Sequence, residues 1–372
     1  MKVIFTCGGS AGHVNPALAL AGYMEQRLPG VEVLFVGTPD GMERRLVEQN
    51  GYAFRAVKIS GFSRNISWNG LRENGRTLRH LVTAPREAQT ILREFQPDLV
   101  VGTGGYASYP IIRCAAKAGI PTAVHESNMV PGLTTKMLER YAGRIMVGFE
   151  ECRQHYRRPD KVVVTGTPVR GDFFDLSHSQ ARQKLGLTDG RALVVSFWGS
   201  LGADYMNEHM LDFFRCEKEN GEPFHHIHAV GRRRWEVMRR ELAARGLDKC
   251  ASLDVREYIY DMAVVMRAAD LVICRAGAST VSEITALAVP AIVVPSPYVP
   301  NNHQEKNARI LEQRGGAQVI LEADCTGDML YRAAAEILGN EERRAAMRRG
   351  MASMGILNAT ERIYDTVMAL TR

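Results

Sequence analysis

Short apolar runs and longer amphipathic stretches alternate through the first half of the chain. Runs of about five apolar residues are typical of buried strands, and apolar residues three or four positions apart are typical of helices with one buried face. Asn15 and Pro16 are residue types that open helices, as N-cap and as first helical residue. The pattern predicts strands over 2–6, 31–36, 98–102 and 121–125, and helices from Pro16 to Leu28, over 42–50 and over 111–118.

The same alternation begins again near residue 192. It predicts strands over 192–197, 226–230, 252–255, 270–274 and 290–294, and helices over 232–245, 280–287 and 360–371. Strands that alternate with helices indicate an α/β protein with parallel sheets. We expect two doubly wound domains facing each other, residues 1–165 and 166–350, joined where Gly166-Thr167-Pro168 interrupts the pattern. The last segment, 351–372, carries a helix with one apolar face, which we expect to pack back on the first domain.

The composition limits the class of protein further. The 372 residues are 45% hydrophobic and 24% charged, as in globular proteins, and a net charge of +6 suits anionic ligands or an anionic membrane surface without indicating nucleic acid. Seven scattered cysteines without a C-x-x-C pair argue against a disulfide framework or a zinc ribbon and favour a reducing cytoplasm. The first apolar run is too short for a signal peptide, and no run reaches the roughly 18 residues that span a bilayer. A soluble or peripherally attached protein is expected.

A glycine-rich turn, Gly8-Gly9-Ser10-Ala11-Gly12-His13, lies between the first predicted strand and a helix. Glycines there let backbone N–H groups approach a ligand, and a helix N-terminus favours negative charge. The spacing is not G-x-G-x-x-G, and the second strand ends in Gly37-Thr38 without the acidic residue that binds an NAD ribose, so a nicotinamide cofactor is disfavoured. His13 on this turn is the best candidate for a general base, with a structural role as the alternative.

Two other turns carry glycine next to a predicted helix. Gly102-Thr103-Gly104-Gly105-Tyr106 follows a strand, so flexible backbone collects at the edge of the first sheet where ligands bind in this architecture. In the second half, residues 276–283 follow a strand and open a helix. Thr280 and Glu283 have the spacing of a capping box. In the functional interpretation, the free backbone amides bind a nucleotide and the Glu283 carboxylate binds paired ribose hydroxyls. The structural and the functional interpretation can both hold if Glu283 points outward.

Two polar clusters have different interpretations. Asn301-Asn302-His303-Gln304 follows a proline-rich loop, and amides suit sugar hydroxyls because each offers a donor and an acceptor. His225-His226-x-His228 has metal-like spacing, but neighbouring residues of a strand point in opposite directions, so no metal site is predicted. D-x-D is absent from the whole sequence, which argues against a glycosyltransferase that binds a nucleotide diphosphate through a divalent cation.

Several ordered motifs together resemble one family. The sequence resembles the MurG family of bacterial glycosyltransferases, part of glycosyltransferase family 28, over effectively its whole length. The motifs that carry the resemblance are 8–18 (GGSAGHVNPAL), 102–106 (GTGGY), 125–134 (HESNMVPGLT), 166–170 (GTPVR), 199–203 (GSLGA), 274–284 (CRAGASTVSEI) and 303–308 (HQEKNA). This many motifs in family order are far more specific than a single glycine turn.

The resemblance implies the GT-B architecture, in which two Rossmann-like domains face a cleft. It also implies inverting, metal-independent transfer of N-acetylglucosamine (GlcNAc) from UDP-GlcNAc to the 4-hydroxyl of N-acetylmuramic acid in undecaprenyl-pyrophosphoryl-MurNAc-pentapeptide (lipid I), giving lipid II. No cofactor is expected. His13 matches the histidine proposed as the base of the family, and Glu126 is the reserve candidate.

The resemblance also implies a set of binding residues. Uracil would contact the Ile259 backbone, and the ribose would contact Glu283. The diphosphate would contact Ser200 and helix N-termini, and the sugar would contact Gln304. By position, the full set of donor contacts is Ser10, Ala11, Gly12, Asn128, Arg170, Ser200, Ile259, Ala278, Ser279, Thr280, Val281, Ser282, Glu283 and Gln304. Gly104, Gly105 and Tyr106 would form a loop for the acceptor pyrophosphate.

Two loops depart from the family pattern. The first loop usually reads G-G-T-G-G-H, and here Ser10 and Ala11 stand at its third and fourth positions; the third loop usually begins with two glycines, and here Trp198 stands first. The methyl group of Ala11 restricts positive φ. A bulky ring beside the diphosphate site would alter the geometry of the third loop.

The polyprenyl tail of lipid I implies contact with the cytoplasmic face of the cell membrane. Segment 61–93 mixes apolar residues such as Trp68 and Leu78 with arginines such as Arg72 and Arg79, a combination typical of an interfacial patch. An ordinary amphipathic helix with a basic face is the alternative. We expect a peripheral membrane protein, with other cell-wall and division proteins as further partners.

Three other functions stay open at this point. They are a related UDP-sugar transferase with a different acceptor, a non-catalytic nucleotide-sugar-binding protein, and a UDP-sugar epimerase.

Overall fold

The computed structural model describes residues 1–59, 83–199, 202–299 and 302–372, which form two compact units. Unit 1 comprises Met1–Val169 and Ile356–Arg372, and unit 2 comprises Arg170–Gly355. The observed divisions, after Val169 and Gly355, lie a few residues later than the expected divisions after residues 165 and 350. Each unit is built on one parallel sheet whose strands alternate with helices, so the predicted α/β class with two doubly wound domains is confirmed.

Unit 1 contains a seven-stranded parallel sheet. Its strands are β1 (Lys2–Thr6), β2 (Glu32–Gly37), β3 (Ala53–Ala56), β4 (Leu99–Gly102), β5 (Thr122–Glu126), β6 (Arg144–Val147) and β7 (Val162–Val164). Their order across the sheet is β3-β2-β1-β4-β5-β6-β7. The helices of this unit are α1 (Ala11–Arg27), α2 (Met42–Gln49), α3 (83–95), α4 (Ser108–Lys117), α5 (Leu133–Leu138) and, at the end of the chain, α14 (Ala359–Met368).

Alternate residues of the β1 strand point to opposite faces of the unit 1 sheet. Val3 and Phe5 pack with apolar residues of α1 and α14, whereas Ile4 packs with residues of α3 and α4. Ile363 and Val367 of α14 are buried in the first of these clusters. The last helix of the chain therefore covers the same face of the sheet as the first helix.

Unit 2 contains a six-stranded parallel sheet. Its strands are β8 (Leu193–Phe197), β9 (His225–Ala229), β10 (Leu253–Arg256), β11 (Leu271–Cys274), β12 (Ala291–Val293) and β13 (Ala317–Val319). Their order is β10-β9-β8-β11-β12-β13. The helices are α6 (His178–Lys184), α7 (Asp204–Glu219), α8 (Trp235–Ala244), α9 (Met262–Ala268), α10 (Ala278–Ala286), α11 (His303–Gln313), α12 (Gly327–Gly339) and α13 (Glu341–Ala352). Short 3-10 helices cover Glu150–His155 and Pro159–Lys161 in unit 1, and Gly171–Phe174, Leu247–Lys249 and Glu322–Asp324 in unit 2.

The start of the first helix differs from the prediction. α1 begins at Ala11 with Ser10 as its N-cap residue, so Asn15 is not the N-cap and Pro16 lies inside the helix. Proline lacks an N–H and cannot donate to the Gly12 carbonyl, which removes one helical hydrogen bond. Val14 and Ala17 are both fully buried. We attribute the extra turn to the burial of this apolar face, which outweighs the loss of one hydrogen bond.

The order in which strands are added reverses direction once in each sheet, which creates a switch point. β1 and β4 are neighbours in unit 1, and β8 and β11 are neighbours in unit 2. In open parallel sheets, the loops at the carboxyl ends of the two strands beside such a switch point form the usual ligand crevice. These loops carry the glycine motifs predicted from the sequence, so the fold places those motifs where a ligand is expected.

Candidate active site

The glycine loops after β1 and β4 pack directly on one another in unit 1. A Cβ atom on Gly105 would lie 2.3 Å from the carbonyl oxygen of Gly8, and Gly105 has a φ of +85°. No residue with a side chain fits this approach, because both the contact and the positive φ exclude it. Tyr106, next in this loop, is 54% exposed. The two loops form one continuous edge at the switch point.

His13 is held by both loops. Its Nδ1 lies 2.8 Å from the Gly8 carbonyl oxygen, and the Thr103 hydroxyl donates to the His13 carbonyl at 2.6 Å. A Cβ on Gly104 would lie 2.6 Å from the imidazole ring, so the ring rests against the bare glycine backbone. Because a carbonyl oxygen only accepts, Nδ1 carries the proton and Nε2 presents a lone pair. The half-buried imidazole is therefore oriented to accept a proton at Nε2.

The departures in the first loop cause no backbone conflict. Ser10 has an extended backbone with a φ of −157°, and its hydroxyl lies 3.4 Å from His13 Nδ1. Ala11 is the first residue of α1 and has a helical backbone, so the expected restriction on positive φ does not arise. Gly12 follows in the same turn, and its neighbour His13 lies at the start of the helix.

Glu126 ends β5 and shapes the loop that follows. Its carboxylate accepts hydrogen bonds from the Asn128 backbone N–H and side-chain amide, both at 3.1 Å, from the Gly132 N–H at 2.9 Å and from the Thr135 hydroxyl at 2.8 Å. The residue is 4% exposed. Four donors around a buried carboxylate favour a role in orienting Asn128 over the proton transfer expected of a reserve base.

In unit 2, Trp198 packs inward from the loop after β8. The indole is 4% exposed and lies in the core of the unit, with the Arg275 guanidinium 5.6 Å from the ring. Gly199 and Gly202 keep positive φ values of 87° and 76°, as a tight loop requires. The large side chain therefore occupies the core instead of the ligand side of this loop. Ser200, predicted to bind the diphosphate, lies outside the described residues.

The α10 N-terminus is open to an anion. Gly277 is its N-cap residue and provides no side-chain cap, so the predicted capping box of Thr280 and Glu283 is wrong: the helix begins two residues earlier, at Ala278. The first backbone hydrogen bond runs from the Val281 N–H to the Gly277 carbonyl at 2.9 Å. The N–H groups of Ala278, Ser279 and Thr280 have no acceptor one turn earlier in the helix. This end of the helix can bind a negatively charged group.

Glu283 lies one turn further along α10 and carries a perturbed carboxyl group. Burial raises the pKa of Glu283 to about 7; Arg170 opposes this rise and Asp172 adds to it. Part of the residue still reaches solvent, and no hydrogen bond to the carboxylate is formed by the described residues. The Ser282 hydroxyl instead bonds the Ala278 carbonyl at 2.9 Å. A carboxylate that is largely desolvated and unpaired is suited to accept hydrogen bonds from ligand hydroxyls.

Three other predicted donor contacts have distinct environments in unit 2. The Ile259 side chain is 2% exposed, while its N–H and C=O make no hydrogen bond within the described residues. Gln304 accepts a hydrogen bond from the Ser296 N–H at 2.9 Å, which leaves its NH₂ group to donate. The Arg170 guanidinium lies 5.2 Å from the Phe173 ring and 3.6 Å from Asp172. Each has a polar group left to offer a ligand.

The histidine cluster of β9 is a buried hydrogen-bond network. His226 Nδ1 lies 2.8 Å from Glu217, and the Ser196 hydroxyl lies 2.7 Å from His226 Nε2 and 2.6 Å from His228 Nδ1. Burial lowers the pKa of His228 well below its usual value and raises the pKa of Glu217. His225 points the other way, to Asp189. These hydrogen bonds join β8, β9 and α7. Within the described residues no group of three or more potential metal-ligating side chains is found.

Sequence reasoning missed one residue beside the first glycine loop. Glu43 on α2 is fully buried, and its carboxylate accepts a hydrogen bond from the Gly9 N–H at 3.3 Å. Glycines at 37 and 41 make room for it, since a Cβ at either position would come within 2.6 Å of the Glu43 side chain. A glutamate in the first turn of a helix is usually exposed, so the hydropathy pattern contains no signal for this burial.

Two Rossmann-like domains, each with glycine loops at its switch point, are the architecture of the GT-B class of glycosyltransferases. The chain belongs to glycosyltransferase family 28: residues 3–147 match the family 28 N-terminal domain and residues 193–363 match the family 28 C-terminal domain. The predicted family is therefore confirmed.

Full-length relatives agree with this assignment. Proteins named UDP-N-acetylglucosamine–N-acetylmuramyl-(pentapeptide) pyrophosphoryl-undecaprenol N-acetylglucosamine transferase are 41% identical in Acetivibrio thermocellus, over 99% of this chain and 97% of the relative, and 35% identical in Bacillus subtilis, over the whole of both. The crystal structure of Acinetobacter baumannii MurG has a TM-score of 0.78 and 28% identity, with 99% of each chain covered. A UDP-GlcNAc 2-epimerase from Neisseria meningitidis, at 14% identity and a TM-score of 0.66 over 99% of this chain and 100% of the epimerase, shares the fold alone.

Proposed function

We propose that this glycosyltransferase moves GlcNAc from UDP-GlcNAc to the 4-hydroxyl of N-acetylmuramic acid in lipid I, forming lipid II for peptidoglycan synthesis. The observation that carries the proposal is the 41% identity to the Acetivibrio thermocellus transferase over 99% of the chain. The matched region covers 99% of this chain and 97% of the relative, so it includes both units, which supports the same donor and the same acceptor.

Unit 2 supplies the binding groups for the donor. The unpaired Glu283 carboxylate accepts hydrogen bonds from the ribose hydroxyls, and the free N–H and C=O of Ile259 pair with the uracil edge. The open N–H groups of residues 278–280 receive the diphosphate, with Arg170 and Ser200 as further contacts. The free amide of Gln304 donates to the sugar. Asn128 and the turn 10–12 of unit 1 complete the proposed set.

Unit 1 supplies the base. His13 Nε2 takes the proton of the acceptor hydroxyl as that oxygen attacks the anomeric carbon of GlcNAc from the face opposite to UDP, so the α-linked donor gives a β-linked product. The C–O bond to UDP breaks and its electron pair stays on the diphosphate. The helix dipole and N–H groups of the α10 N-terminus, together with Arg170, stabilise that negative charge.

A transfer assay tests the proposed function. Purified protein is incubated with radiolabelled UDP-GlcNAc and lipid I in detergent, with and without EDTA. We expect label in lipid II at the same rate in both samples. Label that enters only another acceptor would favour a different transferase. Donor binding without any transfer would favour a binding protein, and conversion of the donor without acceptor would favour an epimerase.

We further propose that the protein works at the cytoplasmic surface of the membrane, where lipid I exposes its sugar. No helix within the described ranges is long and apolar enough to cross a bilayer. Most of the predicted interfacial patch 61–93, namely residues 61–82, lies outside the described residues. In α3, Ala88 and Leu92 pack into the unit 1 core while Arg86 and Arg93 are exposed, and Glu87 and Glu94 balance their charge. The net charge of +6 over the whole chain favours an anionic surface.

Vesicle sedimentation tests the membrane proposal. With vesicles containing anionic lipid, we expect most of the protein in the pellet at low salt and clearly less at high salt, because screening weakens the attraction between arginines and lipid headgroups. Vesicles of neutral lipid serve as the control. Failure to sediment with anionic vesicles at any salt concentration would contradict the proposal.

A further inference from the structure

The environment of Glu43 is specialised for a charged carboxylate. Its Oε1 accepts hydrogen bonds from the Thr38 N–H at 2.9 Å and the Thr38 hydroxyl at 2.6 Å, and its Oε2 accepts from the Gly9 N–H at 3.3 Å. The residue is 0% exposed, and no lysine, arginine or histidine forms an ion pair with it in the described part of the chain. A buried carboxylate without a cation is costly. Its three donors offset part of that cost, and they include the loop that holds His13.

One peptide group connects Glu43 to His13. The N–H of Gly9 donates to Glu43, and the C=O of Gly8, which belongs to the same peptide group, accepts from His13 Nδ1–H at 2.8 Å. The bond is trans, so the N–H and the C=O point in opposite directions across one plane. Hydrogen bonds in such a chain polarise one another. The negative carboxylate displaces electron density of the peptide toward the Gly8 oxygen, which strengthens the hydrogen bond from the imidazole.

We propose that Glu43 is a positioning residue that acts on His13 through the Gly8–Gly9 peptide and stabilises the imidazolium formed during transfer. The inference rests on the proposed role of His13 as the base. When Nε2 takes the proton of the acceptor hydroxyl, the oxygen bonds the anomeric carbon and UDP leaves with the electron pair, so the imidazole ring becomes positive. The negative charge at the far end of the hydrogen-bond chain then favours that positive ring.

The titratable groups near the hydrogen-bond chain from Glu43 to His13 carry no charge that could take over the effect of Glu43. Burial raises the pKa of the Cys7 thiol, and the nearby Glu43 charge raises it further, so the thiol is neutral. Burial lowers the pKa of His125, whose Nε2 lies 2.9 Å from the Gly166 carbonyl oxygen. Both neighbours are uncharged at neutral pH. The effect of the carboxylate on His13 is therefore measurable by changing Glu43 alone.

Kinetics of Glu43→Gln give the first test. We expect kcat to fall about tenfold with KM for UDP-GlcNAc within about twofold, since the donor-binding groups of unit 2 are untouched. The acid limb of the kcat profile should move to lower pH, because a ring without its carboxylate partner takes up a proton less readily. Thr38→Val keeps the carboxylate and should leave the acid limb in place. Glu48→Gln, on the exposed face of the same helix, is the matched control.

Nuclear magnetic resonance of the wild-type protein gives a test without substrate. The sequence has three Gly-Gly pairs, at 8–9, 104–105 and 315–316, so glycine labelled with carbonyl ¹³C and with ¹⁵N isolates three peptide groups. We expect the Gly9 N–H signal to shift with pH and to lose that response in His13→Gln. In Glu43→Gln the midpoint should move to lower pH. The 315–316 pair in unit 2 is the internal control.

The two arms separate the inference from the proposed function. A Gly9 signal that does not follow His13, or an unchanged midpoint in Glu43→Gln, overturns the role of Glu43 whatever the activity. A Gly9 signal that follows His13, with the expected midpoint change, supports it even if the transfer assay assigns a different acceptor. An equal fall in kcat for Glu43→Gln and Thr38→Val without movement of the acid limb would reduce Glu43 to a packing residue and also overturn the proposal.

Discussion

His13→Ala is expected to lower kcat for GlcNAc transfer by about 10²- to 10⁴-fold, the usual contribution of a general base. The dissociation constant for UDP-GlcNAc should change little, because the groups proposed for the uridine and the diphosphate belong to unit 2. Nε2 is the only ring nitrogen with a lone pair, since Nδ1–H donates to the Gly8 carbonyl. Steady-state kinetics with lipid I and calorimetry with UDP-GlcNAc measure the two quantities separately.

A matched histidine variant controls for nonspecific effects of this substitution. His225→Ala removes a partly buried imidazole of unit 2 that pairs with Asp189 and should leave kcat close to the wild-type value. If His13→Ala reduced donor affinity as much as turnover, His13 would be a binding residue and the base would have to be sought elsewhere. To act as the base instead, Glu126 would have to lose hydrogen bonds that shape the Asn128 loop.

Glu283→Gln is expected to weaken UDP-GlcNAc binding by about 10- to 100-fold, the value of roughly 1.5–3 kcal/mol for hydrogen bonds to a charged group. Glutamine keeps one acceptor but loses the charge and presents an NH₂ group where the ribose offers hydroxyls. Calorimetry with UDP-GlcNAc measures the change. Glu336→Gln on the exposed face of α12 is the control, because its carboxylate pairs with Arg343 at the surface.

The same carboxyl group predicts a pH dependence of donor binding. Burial raises the pKa of the free Glu283 to about 7, and a ribose that donates hydrogen bonds favours the ionised form. Donor binding therefore lowers this pKa, so affinity is highest above pH 7 and falls as the pH drops below it. Between pH 8 and pH 6 the dissociation constant should rise about tenfold. Glu283→Gln should show no such rise, and an equal rise in the variant would assign the dependence to another group.

The strands beside the switch points could be predicted from the sequence because they are buried on both faces. β1 and β4 are continuous apolar runs, and the structure places them within one residue of the prediction. β3 gave no such signal: Ala53, Arg55 and Ala56 are exposed at the edge of the sheet. An edge strand is defined by pairing with β2 rather than by its own pattern, so it becomes visible only in the assembled sheet.

Helix starts were predicted less well, for a common physical reason. Asn15-Pro16 and Thr280 to Glu283 are good local start signals, yet α1 and α10 begin earlier, at residues 11 and 278. In both places the helix begins at a glycine-bearing loop, and its N-cap residue, Ser10 or Gly277, makes no side-chain cap. Local capping preferences are worth about 1 kcal/mol, which packing of the helix on its sheet can override.

The residues of the candidate site that lie in sequence motifs could be predicted. A residue that belongs to the site only through tertiary contacts was missed. Motif position led to His13 and Glu283, and the structure adds the orientation of one and the raised pKa of the other. Glu43 was missed because its neighbour in the sequence, Met42, is the residue that the hydropathy pattern expects to be inside, and Met42 is 44% exposed. Gly37 and Gly41 leave space for the Glu43 side chain, and this need for glycine arises only when β2 and α2 pack together.

The return of α14 to unit 1 sets an order for assembly during synthesis. The ribosome makes the 186 residues of unit 2 between the two segments of unit 1. At about 5–20 residues per second this delay lasts roughly 10 to 40 s. Throughout that interval the nascent sheet of unit 1 lacks the cover supplied by Ile363 and Val367. A chaperone that shields this apolar face until translation ends would therefore act on a defined and temporary target.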